Sequence, residues 1–221
     1  MVKLPQQAQY IIDTLTKAGY QCYAVGGSVR DLLMGRKTHG WDFTTDAKPE
    51  DILKLFPDSF YDNQFGTVGV KIRKTQETNK LSGDSSDSSD SSVTDIYEIT
   101  TYRSEEGYAD HRHPDKIVWG KTIEEDLSRR DFTINAIAYN GKKIVDPYEG
   151  QEDIKKKLIR AVGSPGDRFA EDALRMMRAV RIAAEIGFMI DPATVDAIKA
   201  NSRSITSISV ERIHDELIKL M

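Results

Sequence analysis

Gly26 and Gly27 stand directly ahead of Ser28-Val29-Arg30-Asp31. Two glycines after a strand and before a helix let a ligand approach the backbone, whose free N–H groups at the helix start favour an anion. Arg30 adds a fork of donors that suits phosphate oxygens. A plain strand–turn–helix corner uses the same residues. Further on, His39-Gly40-Trp41-Asp42-Phe43-Thr44-Thr45 reads as a strand. Carboxylates at i and i+2 of a strand project to one face, the spacing that shares a divalent metal in phosphoryl transfer. Here Asp42 is acidic and position 40 is Gly40, so composition alone makes Asp42 an ordinary strand-end residue. Asp172 and Arg175 lie three apart in a helical run and are expected on one face. An acceptor beside donors can imitate a Watson–Crick edge; the plainer alternative is a surface salt bridge, which contributes little. Arg175, Arg178 and Arg181 continue at three-residue steps as a drifting basic stripe.

The elements that must position these residues follow from apolar periodicity. Residues 5–18 carry Ala8, Ile11, Ile12 and Leu15 at helical spacing and close on Gly19. A strand over 20–25 leads into the glycine pair, and a short helix over 28–34 ends at Gly35. Residues 41–45 form a strand, 48–56 a helix with Pro49 in its first turn, and 67–73 and 95–102 two more strands. Between those strands, 82–92 is built from Ser, Asp and Gly alone, which cannot bury a core, and is expected to be a disordered hairpin extension. A polar loop spans 103–120. Helices are expected over 123–129, 134–139 (followed by a short strand), 151–158, 170–186, 193–201 and 210–220. The fold class is therefore α+β: a mixed-sheet head over 1–140, with the insertion at about 76–93, then a helical neck over 141–221.

Composition sets the outer bounds. The chain has 221 residues, 39% hydrophobic and 30% charged, as in globular domains. No apolar run approaches a membrane span, and the start lacks a signal-peptide block. The lone Cys22 excludes an intrachain disulfide framework and a cysteine-based zinc site, so a cytoplasmic setting is expected. The net charge of −4 hides a basic stretch: 129–181 holds 12 lysines and arginines against 8 carboxylates. Nucleic acid therefore stays open as a partner.

Gly26-Gly27-Ser28-Val29-Arg30-Asp31 followed by Trp41-Asp42-Phe43-Thr44-Thr45 resembles the signature of the class II tRNA nucleotidyltransferases (CCA-adding enzymes) and the related bacterial poly(A) polymerases, members of the polymerase beta-like nucleotidyltransferase superfamily. Further motifs follow in order: 129–136 (RRDFTINA), 146–150 (DPYEG) and 171–181 (EDALRMMRAVR). The resemblance implies Mg²⁺ held by Asp42, Glu98 and an acid at position 40, with Gly27 and Arg30 seating the triphosphate. Glu98 has the strand phase of Ile96 and Thr100, and an exposed strand glutamate is its alternative. Arg130 and Asp131 are implied at triphosphate and ribose, where Asp131 would accept from a 2′-hydroxyl. Asp172 with Arg175 would template CTP or ATP, and Arg178 and Arg181 would lie at the nucleotide and its phosphates. Cytosine and adenine present an amino donor beside a ring-nitrogen acceptor, guanine and uracil the reverse, so a carboxylate–guanidinium pair accepts C and A.

The implied reaction adds CCA, or the terminal A, to the tRNA 3′ end from CTP and ATP. The stretch 108–114 resembles the family's flexible loop, which favours adding the terminal A; His111 and His113 within it are expected to be surface residues. Two departures stand out. The family carries Asp-x-Asp where this chain has Gly40-Trp41-Asp42, so metal binding and rate are expected to suffer. The family also continues into further helical domains that grip tRNA, and these are expected to be absent. Two rivals follow: a poly(A) polymerase, against which the tRNA-enzyme-like 65–68 (FGTV) speaks, and a catalytically inactive nucleotide- or RNA-binding module, which Gly40 favours.

Overall fold

The computed structural model describes residues 3–38, 40–63, 66–73, 94–106 and 116–220. The Ser/Asp segment, Phe65, His111 and His113 lie outside the described residues.

Helix α1 (Gln6–Lys17) buries Ala8, Ile11, Ile12 and Leu15, the stripe expected from their spacing. Next come β1 (Cys22–Val25), α2 (Gly27–Leu33), β2 (Asp42–Thr45) and α3 (Pro49–Leu55), whose Pro49 sits in the first turn. Four strands follow: β3 (Ser59–Asn63), β4 (Thr67–Arg73), β5 (Thr94–Thr101) and β6 (Arg103–Glu106). β7 (Lys116–Trp119) pairs antiparallel with β6 as a separate two-stranded ribbon, where only polar loop was expected. Then come α4 (Ile123–Ser128), β8 (Ala138–Tyr139), β9 (Ile144–Val145), α5 (Gly150–Lys156) and β10 (Leu158–Ile159). The chain closes with α6 (Pro165–Glu171), α7 (Leu174–Ile186), β11 (Met189–Ile190), α8 (Pro192–Asn201) and α9 (Val210–Ile218).

One seven-stranded sheet has the order β3-β4-β5-β2-β1-β8-β9. β2 and β5 run parallel, and every other neighbouring pair is antiparallel. The class is α+β, a mixed sheet followed by a mainly helical region, in which β10 and β11 form one short parallel pair. Alternation along β1 explains the layers. Cys22 and Ala24 join Ile11, Leu15, Phe43 and Ile52 on one face of the sheet. Tyr23 and Val25 join Tyr102, Leu127 and Ala138 on the other. Each such fully buried aliphatic side chain contributes about 1.5–3 kcal/mol. A further cluster of Phe132, Ile134, Ile159, Ala179, Ile182 and Phe188 joins the sheet region to α7.

Two expected helices are corrected. Over 134–139 the chain makes a 3-10 turn, Thr133–Asn135, then β8, which pairs with the free edge of β1 through Ala24↔Tyr139 and Val25↔Ala138. An apolar stretch buried on all sides has no periodicity to separate strand from helix. Over 170–186 the helix breaks at Asp172, whose backbone is extended at φ −148° and ψ 104°. Phe169, Ala173, Leu174, Met176 and Ile208 pack around that break. Helix α7 then ends on left-handed Gly187, and α8 opens on Asp191, which accepts from the Thr194 N–H. Among the described residues, no helix is long and apolar enough to cross a membrane.

Candidate active site

The β2/β5 pairing sets the centre of the site. Asp42 and Glu98 are register partners on adjacent parallel strands, so both side chains leave the same face of the sheet. Asp42 also opposes Val25, the last residue of β1, which puts the Gly26–Gly27 turn alongside. A side-chain carbon placed on Gly26 would lie 3.3 Å from Arg130 Nη1 and 3.7 Å from Asp42 Oδ2. The glycine backbone, a carboxylate and a guanidinium therefore converge. Arg130 is anchored by Asp126 (3.2 Å), a fully buried carboxylate that also holds Arg129 at 2.7 Å. Burial raises the Asp126 carboxyl, but the two arginine charges and their hydrogen bonds win and hold it below the usual range.

Desolvation by the surrounding chain raises the Asp42 carboxyl above its ordinary range, with the Arg130 charge pulling the other way. Glu98 is raised too, by desolvation first and then by the negative charges of Asp42 and Asp62. Crowded carboxylates with exposed surface are a hard-oxygen pair whose repulsion a divalent cation relieves. Mg²⁺ is commonly held by one or two carboxylates plus substrate phosphates, so the donors present fit it. Among the described residues, no group of three or more His, Cys, Asp or Glu side chains is placed to hold a metal ion. At Gly40, a Cβ would have no heavy atom within 4 Å, so the position is open space.

Gly26 is the stricter of the two glycines, although sequence reasoning singled out Gly27. Its φ of 78° and ψ of −147° are essentially closed to other residues, whereas Gly27 begins α2. Gly26→Ala is expected to cost about 1–3 kcal/mol of stability, and its new methyl displaces Arg130. Gly27→Ala meets Arg30 Nη2 at 3.5 Å, an ordinary contact. Thermal melts paired with CTP titrations of both variants check this: Gly26→Ala loses more in each.

Arg30 is buried beneath the turn, 6% exposed. Its Nε donates to Asp31 Oδ1 at 2.9 Å, Nη2 stands in ion-pair contact with the same oxygen at 2.9 Å, and Nη1 donates to Asn135 Oδ1 at 3.0 Å. Asp131, expected to meet a ribose hydroxyl, is instead buried and paired with Arg178 through bonds of 2.9 and 2.6 Å. Burial raises its carboxyl, but Arg178, Asn135 and the Phe132 N–H outweigh that and hold it down to about 2. The stabilisation this brings is complete above the ordinary value of 3.8 and is lost as the pH falls from there through about 2. Asp131→Asn is expected to cost about 3 kcal/mol at neutral pH, the low end for a buried pair because the Arg178 head is partly solvated. Urea unfolding of both proteins from pH 7 downward tests it: the gap stays constant to about pH 4 and narrows below.

Asp172 and Arg175 do not share a helix face, contrary to the expectation from spacing. Asp172 stands in the extended break before α7. Its Oδ1 accepts from the Leu174 N–H (3.1 Å) and Arg212 Nη1 (3.3 Å), its Oδ2 from Arg212 Nη2 (2.8 Å). Arg175 Nη1 donates to Glu171 (2.5 Å) and to the Arg168 carbonyl (3.2 Å), and Nη2 donates to the Arg129 carbonyl (3.1 Å). Arg181 reaches α9 through Glu216 (2.5 Å) and also binds Glu185 (2.8 Å). The structure thus gathers Gly26, Gly27, Asp42, Glu98 and Arg130 into one centre. Arg30 and Asp131 are buried beside it and joined to the partly exposed Arg178, while Asp172, Arg175 and Arg181 lie in ion pairs along α7 and α9. Sequence reasoning missed Asn135, Arg212 and Glu216; Asn135 stood inside a quoted motif, and the other two gave no signal short of the fold.

Comparison with known proteins now decides the kinship. The family described as "Poly A polymerase head domain" matches residues 22–160, more than half of the chain. The chain belongs to that family. Residues 187–221 match a second description, "Probable RNA and SrmB- binding site of polymerase A". The CCA-adding enzyme of Lactobacillus helveticus is 45% identical over 222 residues, covering 99% of this chain and 51% of that protein. The crystal structure of the Bacillus stearothermophilus CCA-adding enzyme in complex with CTP is 40% identical with a TM-score of 0.80, covering 97% of this chain and 48% of that one. A tRNA nucleotidyltransferase complexed with a primer tRNA and an incoming ATP analog superposes at a TM-score of 0.70 with 26% identity, over 94% of this chain and 54% of that one. The chain spans about half the length of the relatives it matches.

Proposed function

We propose that this chain carries the nucleotidyl-transfer chemistry of template-independent addition of C, C and A, or the terminal A, to the 3′ end of tRNA. CTP and ATP are the donors, and the setting is the cytoplasm. In this reading residues 1–140 form the catalytic head and 141–221 the neck. The observation that carries it is the Asp42–Glu98 register beside the Gly26 turn and Arg130: two carboxylates, an open glycine backbone and a cation at one point. Arg130 Nε is also buried without a hydrogen-bond partner among the described residues, an unpaired donor beside this centre.

The tRNA 3′-oxygen attacks the α-phosphorus, a new P–O bond forms, the bond from the α-phosphorus to the α–β bridging oxygen breaks with its electron pair leaving on pyrophosphate, and the hydroxyl proton passes to solvent water. Asp42 and Glu98 would hold Mg²⁺, which when bound supplies charge stabilisation to the phosphoryl oxygens. Gly26 and Gly27 leave the backbone open to the triphosphate, and Arg30 and Arg130 offset its charge. Asp172 and Arg175 present an acceptor and donors to the base, while Arg178 and Arg181 hold α7 in place. With glycine at position 40 the chain lacks one expected carboxylate, so addition is slow. The same glycine favours one second reading, a module that binds nucleotide without transferring it.

Incubating tRNA that ends at its discriminator base with each labelled nucleotide separates the outcomes. Stepwise gain of C, C and A, or of A on a CC end, supports the proposal. An open-ended A tail points to a poly(A) polymerase, and binding without incorporation to the second reading.

A further inference from the structure

Asp131 has no room for a ribose hydroxyl. A carboxylate offers about four lone-pair sites, and Asp131 fills them all. Its Oδ1 accepts from the Phe132 N–H (2.8 Å) and Asn135 Nδ2 (3.1 Å), its Oδ2 from Arg178 Nε (2.9 Å) and Nη2 (2.6 Å). The other end of Asn135 meets Arg30 Nη1 at 3.0 Å. Its partners dictate the orientation of the amide, because only the oxygen can face a guanidinium and only the nitrogen a carboxylate. Asn135 is 6% exposed, so no bulk water takes its place. It is a neutral link between two ion pairs, Arg30–Asp31 on α2 and Asp131–Arg178 reaching α7.

The link sets where Arg30 points. With Nε and one Nη1 hydrogen engaged in hydrogen bonds, Nη2 keeps both of its hydrogens and Nη1 keeps one. Those nitrogens lie 3.5 and 3.9 Å from where a side-chain carbon on Gly27 would stand. The remaining donors therefore border the open backbone of the glycine turn.

We propose that Asn135 is a positioning residue: held by Asp131, its amide fixes the Arg30 guanidinium for the polyphosphate of the incoming nucleotide. The proposal rests on the nucleotide site described under Proposed function. Asn135 touches no substrate atom and acts through Arg30.

The test is competition binding of CTP and CMP to the whole chain, for the wild type, Asn135→Ala, Arg30→Ala and the double variant. Losing a hydrogen bond to a charged group weakens CTP about tenfold in Asn135→Ala. CMP, which lacks the outer phosphates, changes by less than about twofold, and Asn135→Ala adds less than about twofold once Arg30 is already alanine. If Asn135→Ala does not fold, Asn135→Ser, whose shorter hydroxyl stops one bond before the amide's polar atoms, serves the same comparison. Equal loss of CTP and CMP, or effects that add in the double variant, reduces Asn135 to a packing residue and overturns the proposal. A wild type that prefers CTP over CMP alongside an unchanged Asn135→Ala overturns the proposal alone. A wild type with no such preference overturns the nucleotide-site reading and this inference with it.

Discussion

Gly40→Asp is expected to raise nucleotide addition at least about tenfold, because a restored carboxylate improves both metal affinity and alignment of the attacking oxygen. The fold accommodates the change. A Cβ at position 40 meets nothing within 4 Å, and its φ lies outside the left-handed region. Position 40 lies just ahead of β2, two residues before Asp42, and an extended backbone continued back from the strand would turn its side chain to the face of Asp42. The new charge also joins two carboxyls already held above their ordinary range by desolvation. Protons therefore compete with the cation at a higher pH than at an isolated carboxylate, and the acid limb of the rate moves upward in the variant. Initial rates on a tRNA primer against Mg²⁺ concentration and pH read both effects. Equal rates for the two proteins would mean that the chain does without an acid at position 40.

The second large effect concerns base choice. Replacing Asp172 and Arg175 together by alanine is expected to bring the CTP-over-UTP preference close to unity, a loss of at least about tenfold in discrimination. The pair does not work as two neighbours on one helix. Asp172 sits in an extended break where Arg212 clamps it, and Arg175 is fixed by Glu171 and two carbonyl oxygens. Each keeps something to offer: Arg175 retains its Nε hydrogen and one on Nη2, and Asp172 retains about one lone-pair site. Groups held this firmly cannot swing to suit a mismatched base, which is how unpaired polar atoms become selectivity. The readout is the CTP/UTP ratio from equilibrium binding. Absolute affinity is a poor measure here, because removing Asp172 also leaves Arg212 without its partner.

What the sequence discloses divides along a physical line. Local periodicity suffices for α1, for β1, β2 and β4, and for the Pro49 helix, because each has one buried stripe or face that its own residues define. It fails at 134–139, where β8 exists because β1 has an open edge. It fails again at Asp172: residues 170–186 are continuous helix formers, and the break is accompanied by a salt bridge to Arg212, 40 positions away. The site divides in the same way. Glu98 is marked by strand phase and kinship and Asp42 by kinship alone, and their register is what one parallel pairing produces. Asp131 is placed at the ribose by kinship, whereas its pairing with Arg178 is set by the fold and leaves no trace in the local sequence. Asn135 was unremarkable until Arg30, distant in sequence, was found against it.

In the proposed function, a protein surface discriminates bases with its side chains. Equilibrium competition of CTP, ATP, GTP and UTP for the unmodified chain, with Mg²⁺ present and no RNA, measures this directly and needs no turnover. CTP and ATP are expected to bind at least about tenfold more tightly than GTP and UTP. Four indistinguishable affinities, or none at all, would contradict it.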